Sequence, residues 1–126
     1  MRIIIALDNR SGYTRSGKRL SRDRAMLDDL AKYGTIYASP YTAAILGNHP
    51  VNVVTLIPEN IPDNAVLFLE TEDIPDTADK LIVYRWDKHY PCDRIYEPSD
   101  HGWKLGNTSD FPGYSHEIII KEEWTK

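Results

Sequence analysis

Apolar and polar positions divide the 126 residues into short blocks. Ile3-Ile4-Ile5-Ala6-Leu7 is a continuous aliphatic run closed by the turn formers Asp8-Asn9. A run this short, apolar on both faces, predicts a buried central strand. Residues 9–20 hold two glycines and two Arg-Ser-Gly copies, at 10–12 and 15–17, and read as a loop. Ser21 is placed to cap a helix over 22–33, with Leu20, Met26, Leu27, Leu30 and Ala31 on its apolar face and Gly34 as its stop. Strands are predicted at 35–39, 51–57, 66–70 and 80–86, and Pro40 opens a short helix over 41–46. Pro58, Pro62, Asp63 and Asn64 mark a loop, and the acidic stretch 71–79 a turn or short helix. Prolines and glycines make 87–114 irregular, apart from a short extended piece at 94–96. The last strand is predicted over 116–124, antiparallel at one side of the sheet. Strands alternate with helices at first and then follow one another. The expected architecture is a single α/β domain over 1–126 with a mixed sheet.

Composition adds little to that picture, but charge adds something. Hydrophobic residues at 41% and charged residues at 27% are ordinary for a folded domain, so disorder is not expected. The net charge of −4 hides an asymmetry. Residues 1–24 carry seven bases against two acids, and the remainder eight against seventeen. Arg10, Arg15, Lys18, Arg19 and Arg22 stand in one stretch with Ser21, and that stretch is the candidate site for an anion. Arg22 and Arg24 also stand at the positive end of the expected helix, where bases are unfavourable unless an anion faces them. The compensating group is either an internal acid, Asp8 or Asp23, or a ligand. An acidic chain is a poor general nucleic-acid binder.

The single cysteine, Cys92, excludes an internal disulfide and a cysteine-based zinc cage. It fits a reducing compartment, and the five-residue apolar run at the start is too short for a signal peptide or a membrane span. The expected location is cytoplasmic, with no membrane partner. Asp87, His89, Cys92, Asp93 and His101 lie near one another in sequence but offer only one His-x-x-Cys pair, so no metal is expected. Residues 12–19 lack the spacing of a nucleotide phosphate loop, since Gly17-Lys18 is followed by Arg19 rather than Ser or Thr. No cofactor is implied. Asp8, Asp29 and His116 are the candidates for acid–base work, with His116 able to face the first loop and pair with Asp8 or Asp23.

In outline the chain resembles dihydrofolate reductase. The resemblance is carried by Ala78-Asp79-Lys80-Leu81-Ile82-Val83, Asp87, Trp103, Phe111-Pro112, Ser115-His116 and the closing Ile118–Ile120. An opening strand, a glycine loop and Asp28-Asp29-Leu30-Ala31 carry it in the first half. It implies a related fold, and a pterin-anchoring acid at Asp29, with Asp23 and Asp28 as competitors. The chain departs from the family where 65–79 lack the glycine pair that admits cofactor phosphates, and where Leu20-Ser21-Arg22 replaces a Pro-Trp pair. Both departures count against reductase activity. The chain also resembles a small uncharacterised bacterial family through Asn9, Gly12, Lys18-Arg19, Ser21-Arg22-Asp23 and Ser115-His116-Glu117. Some members of that family are labelled ribonuclease Z. Such enzymes need a His-x-His-x-Asp-His zinc motif, and no two of the four histidines here stand two apart.

The function expected from the sequence is binding of a phosphorylated small molecule or nucleotide through residues 9–24, with an aromatic side chain stacking its ring. The alternatives are an enzyme, reductase-like or phosphodiester-cleaving, and an interaction module forming homo-oligomers.

Overall fold

In the computed structural model, which describes residues 1–57, 59 and 61–126, β1 (Arg2–Leu7) runs through the middle of a seven-stranded sheet. Its aliphatic side chains alternate between two layers, as the two-residue period of a strand requires. Ile3, Ile5 and Leu7 join one core and Ile4 the other, all fully buried. Burial of each isoleucine is worth about 2 kcal/mol.

The remaining strands of this sheet are β4 (Thr35–Ala38), β5 (Asn52–Thr55), β6 (Val66–Phe68), β7 (Lys80–Trp86), β9 (Lys104–Phe111) and β10 (Ile119–Thr125). Their order is β5-β4-β6-β1-β7-β10-β9. The first five are parallel, β10 runs antiparallel to β7, and β9 antiparallel to β10. This is the expected mixed α/β sheet. Helices α1 (Arg24–Asp29) and α2 (Pro40–Leu46) cover one face through Met26, Leu27 and Leu46, with Leu30 from the turn after α1. Tyr13, Tyr96 and Trp103 close the other face. Trp103 there donates its indole N–H to the Tyr96 hydroxyl over 3.0 Å.

Several boundaries differ from the sequence reading. The stretch 9–20 is not a loop but holds β2 (Gly12–Arg15) and β3 (Lys18–Arg19). Ser16 and Gly17 take φ of 51° and 71° between them. Two positive φ values in a two-residue turn match the right-handed twist of a hairpin. With β8 (Arg94–Ile95), this hairpin makes a small second sheet, ordered β3-β2-β8.

The helix expected over 22–33 is an α-helix only to Asp29, and continues as a 3-10 turn, Leu30–Tyr33. Its cap is Asp23, not Ser21, because the extended Asp23 backbone lets the carboxylate accept the Ala25 N–H at 2.8 Å. The region read as irregular contains a 3-10 turn, Pro98–His101, and all of β9. The closing strand begins at Ile119 rather than His116. Pro58, read as part of a loop, lies outside the described residues. No helix of the described residues is long and apolar enough to cross a membrane.

Candidate functional site

The C-terminal ends of β1, β4, β6 and β7 lead to Asp8, Ser39, Leu69-Glu70 and Asp87 at one end of the sheet. In an open parallel sheet this end is where ligand crevices form. Two buried aspartates organise it.

Asp8 follows β1 directly and is fully buried. It accepts the backbone N–H groups of Arg10 and Gly12 at 2.8 Å and of Tyr90 at 3.0 Å, with the His89 ring at 3.0 Å. Burial alone would raise its pKa, but these bonds together hold it below the usual carboxylate value. A Cβ at residue 12 would come within 2.7 Å of the Asp8 carboxylate, so only glycine allows this approach. Asp8 is therefore a tie between two chain segments rather than a free acid.

Asp23 repeats the device on a larger scale. Its carboxylate accepts the backbone N–H groups of Ala25, Tyr114, Ser115 and His116, all within 3.0 Å. Nδ1 of His116 lies 2.9 Å from Asp23 Oδ2. Burial opposes ionisation here too, yet the bonds from Tyr114, His116, Ser115 and Ala25 set the carboxyl far below its ordinary range. Gly113 permits this, since a Cβ there would lie 2.8 Å from Asp23 Oδ2. Of the two partners that the sequence allows for His116, the structure selects Asp23.

His116 is only 4% exposed and stacks on Trp86 with ring centroids 4.5 Å apart. Its Nε2 lies 2.8 Å from the Tyr90 hydroxyl and 3.3 Å from Ser21 Oγ. Asp29, the third acid–base candidate, stands apart from this cluster. It accepts from the Tyr84 hydroxyl at 2.6 Å and pairs with Lys32 and Lys121. Burial raises its pKa, but Lys32, Tyr84 and Lys121 outweigh that and lower it.

Beside Tyr90 lies a cleft of about 390 Å³. Arg15, Lys18, Arg19 and Leu20 line it on the hairpin side, and Tyr90 and Pro91 opposite. Arg15 and Lys18 make no ion pair with any described residue. Arg19 is engaged: its Nε and Nη2 donate to both oxygens of Glu70 at 2.8 and 3.0 Å, and its guanidinium lies 4.2 Å from the Tyr41 ring centroid. Glu70 also accepts from the Thr42 hydroxyl at 2.8 Å.

The six basic-loop candidates therefore separate. Arg15, Lys18 and Arg19 share the cleft, and Ser21 contacts His116 behind it. Arg22 lines a second groove with Arg24 and His49, and Arg10 lines neither. The acid expected opposite Arg22 and Arg24 is not found among the described residues: Asp8 and Asp23 face backbone amides, and Arg24 lies over Tyr114. Tyr90 and Glu70 were missed. Glu70 carried a signal, as an acid at the end of an apolar run, whereas Tyr90 lay in a stretch without periodicity. His89 is held by Asp8, and no group of three or more metal-ligating side chains occurs among the described residues.

No family model and no curated protein matches the chain. Among solved structures it is similar to dihydrofolate reductase from Enterococcus faecalis complexed with NADP(H) and RAB-propyl. That match covers 98% of this chain and 94% of the other, with a TM-score of 0.61 and 12% identity. The chain has a dihydrofolate reductase fold. At that identity the likeness is one of fold, and it agrees with the resemblance visible in the sequence.

Proposed function

We propose that the chain binds a phosphorylated small molecule in the cleft beside Tyr90, with nucleotides the class that fits best. The observation that carries this reading is the pair Arg15 and Lys18. Two cations without carboxylate partners among the described residues line one wall, and an aromatic ring lines the other. A nucleotide supplies both an anionic end and a flat ring. The tight turn at Ser16-Gly17 supports the reading, because it sets Arg15 and Lys18 directly opposite each other across the hairpin.

A thermal-shift panel tests it. A nucleotide at ten times its Kd stabilises the fold by about 1.4 kcal/mol, which for a chain of this size raises Tm by about 5 °C. The shift is expected to disappear in the Arg15→Ala, Lys18→Ala double variant while its ligand-free Tm stays near wild type. No shift across nucleoside mono-, di- and triphosphates overturns the reading.

A reductase is the second reading, favoured by the fold likeness to an enzyme complexed with NADP(H). Two features weigh against it. Residues 65–79 contain no glycine, and the Asp29 carboxylate is already engaged by Tyr84, Lys32 and Lys121. Absorbance of NADPH with dihydrofolate decides: a flat trace removes this reading and leaves the first untouched.

A further inference from the structure

Binding of an anion in the cleft leaves His116 without a task. A histidine this buried, held at both ring nitrogens and stacked on one face, is fixed in orientation. Its tautomer is fixed as well. The Asp23 carboxylate is ringed by donors and can only accept, so the 2.9 Å contact requires a proton on His116 Nδ1. In the neutral ring this leaves a lone pair on Nε2. That lone pair faces two hydroxyls, Tyr90 Oη at 2.8 Å and Ser21 Oγ at 3.3 Å.

We propose that Ser21, His116 and Asp23 form a nucleophilic acyl-transfer centre for carboxylic esters. A hydroxyl, an imidazole base and an acceptor-only carboxylate that orients the imidazole are the parts such a centre needs. Chain order and fold do not matter to that chemistry, only the geometry does. Ser21 borders a hollow of about 10 Å³ that it shares with Leu20, Arg19 and Trp86. Leu20 and Arg19 also line the larger cleft, so the two spaces have a common wall. A preference for esters that also carry a phosphate rests on the anion-binding reading of that cleft; the chemistry at Ser21 does not.

The step balances without a cofactor. Ser21 Oγ attacks the ester carbonyl carbon while His116 Nε2 takes the hydroxyl proton. The bond from that carbon to the alkoxy oxygen breaks, and the departing alkoxide takes the proton from Nε2. Water then attacks the acyl-serine in the same way, releasing the carboxylic acid and restoring the Ser21 hydroxyl. Tyr90 has a role in this sequence. At rest its hydroxyl donates to Nε2, and it turns away from that lone pair before the Ser21 hydroxyl donates there. Once Nε2 carries the serine proton it donates instead, and the Tyr90 O–H is free to point at the oxyanion.

The experiment is covalent labelling of the full chain with a neutral alkyl fluorophosphonate, located by peptide mass spectrometry. One adduct is expected, on Ser21. Ser21→Ala is expected to abolish it, and His116→Gln to slow it by about a hundredfold or more with native circular dichroism retained. Ser21→Ala is also expected to keep the nucleotide-induced shift in Tm. Absence of an adduct, an adduct that persists in Ser21→Ala, or an adduct on Tyr90 overturns the assignment. Labelling at Ser21 without any nucleotide shift upholds the centre and removes the anion-binding reading. The converse result removes the centre alone.

Discussion

Asp23→Ala is expected to lower the unfolding free energy by about 4 kcal/mol. Four backbone N–H groups, on Ala25, Tyr114, Ser115 and His116, lose their acceptor at once. A buried donor left unsatisfied costs about 1–3 kcal/mol, and water entering the space recovers part of that. A domain of this size has about 5–15 kcal/mol in total, so the variant is expected to be marginally folded. Asp23→Asn keeps one acceptor oxygen and loses about half as much. Urea unfolding followed by circular dichroism reads both. A midpoint for Asp23→Ala that corresponds to less than about 1 kcal/mol of loss is incompatible with the bonding described.

The same carboxylate sets a pH response. Its folded-state pKa lies below the unfolded value, so its contribution is present above about pH 4 and is lost as pH falls further. Asp8 and Asp29 are lowered in the same direction. The wild-type urea midpoint is therefore expected to hold from pH 7 to about pH 5 and to drop below about pH 4. Asp23→Asn is expected to flatten that drop in part, because the other two remain.

Glu70→Gln is expected to change two properties in opposite directions. Glu70 is 6% exposed and accepts two hydrogen bonds from Arg19 and one from Thr42. Removing the negative charge leaves the Arg19 guanidinium without its counter-ion. Breaking a fully buried pair costs about 3–5 kcal/mol. Arg19 borders the cleft and can turn into it, so the expected loss is about 2 kcal/mol. The freed guanidinium then joins Arg15 and Lys18 around the same space. Nucleotide affinity is expected to rise roughly fivefold, about 1 kcal/mol. Titration calorimetry beside urea unfolding separates the two effects. Affinity that falls together with stability contradicts the placement of the anion at this hairpin.

The parts of the fold that were legible in the sequence are those where burial dictates the residues. The aliphatic run at 3–7 and the blocks at 66–70 and 80–86 leave few alternatives to buried strands, and β1, β6 and β7 occupy them. β9 was illegible for the opposite reason. Lys-Leu-Gly-Asn-Thr-Ser-Asp lies at the sheet edge with both faces exposed, so nothing in its pattern had to alternate. The hairpin of β2 and β3 was hidden by its turn, since Ser-Gly between basic residues reads as a loop. At the site, the pairing of His116 with Asp23 was open to reasoning from charge and strand position. The cap at Asp23 was not, because Ser21 satisfies the same local rule and tertiary contact with His116 removes it from that role. Tyr90 reaches the site only because Asp8 pins its backbone, a contact spanning 82 positions.

That polar outer strand governs how copies of the chain meet. An eight-residue strand at a sheet edge offers its unpaired amides and carbonyls to any second strand. Here the register slips beside it between Glu123 and Trp124, and Lys104 and Asp110 place charge at its two ends. An irregular, charged, water-exposed border is a poor template for strand addition. The seventh strand thus ends the sheet in solvent, and guards this border against edge-to-edge polymerisation.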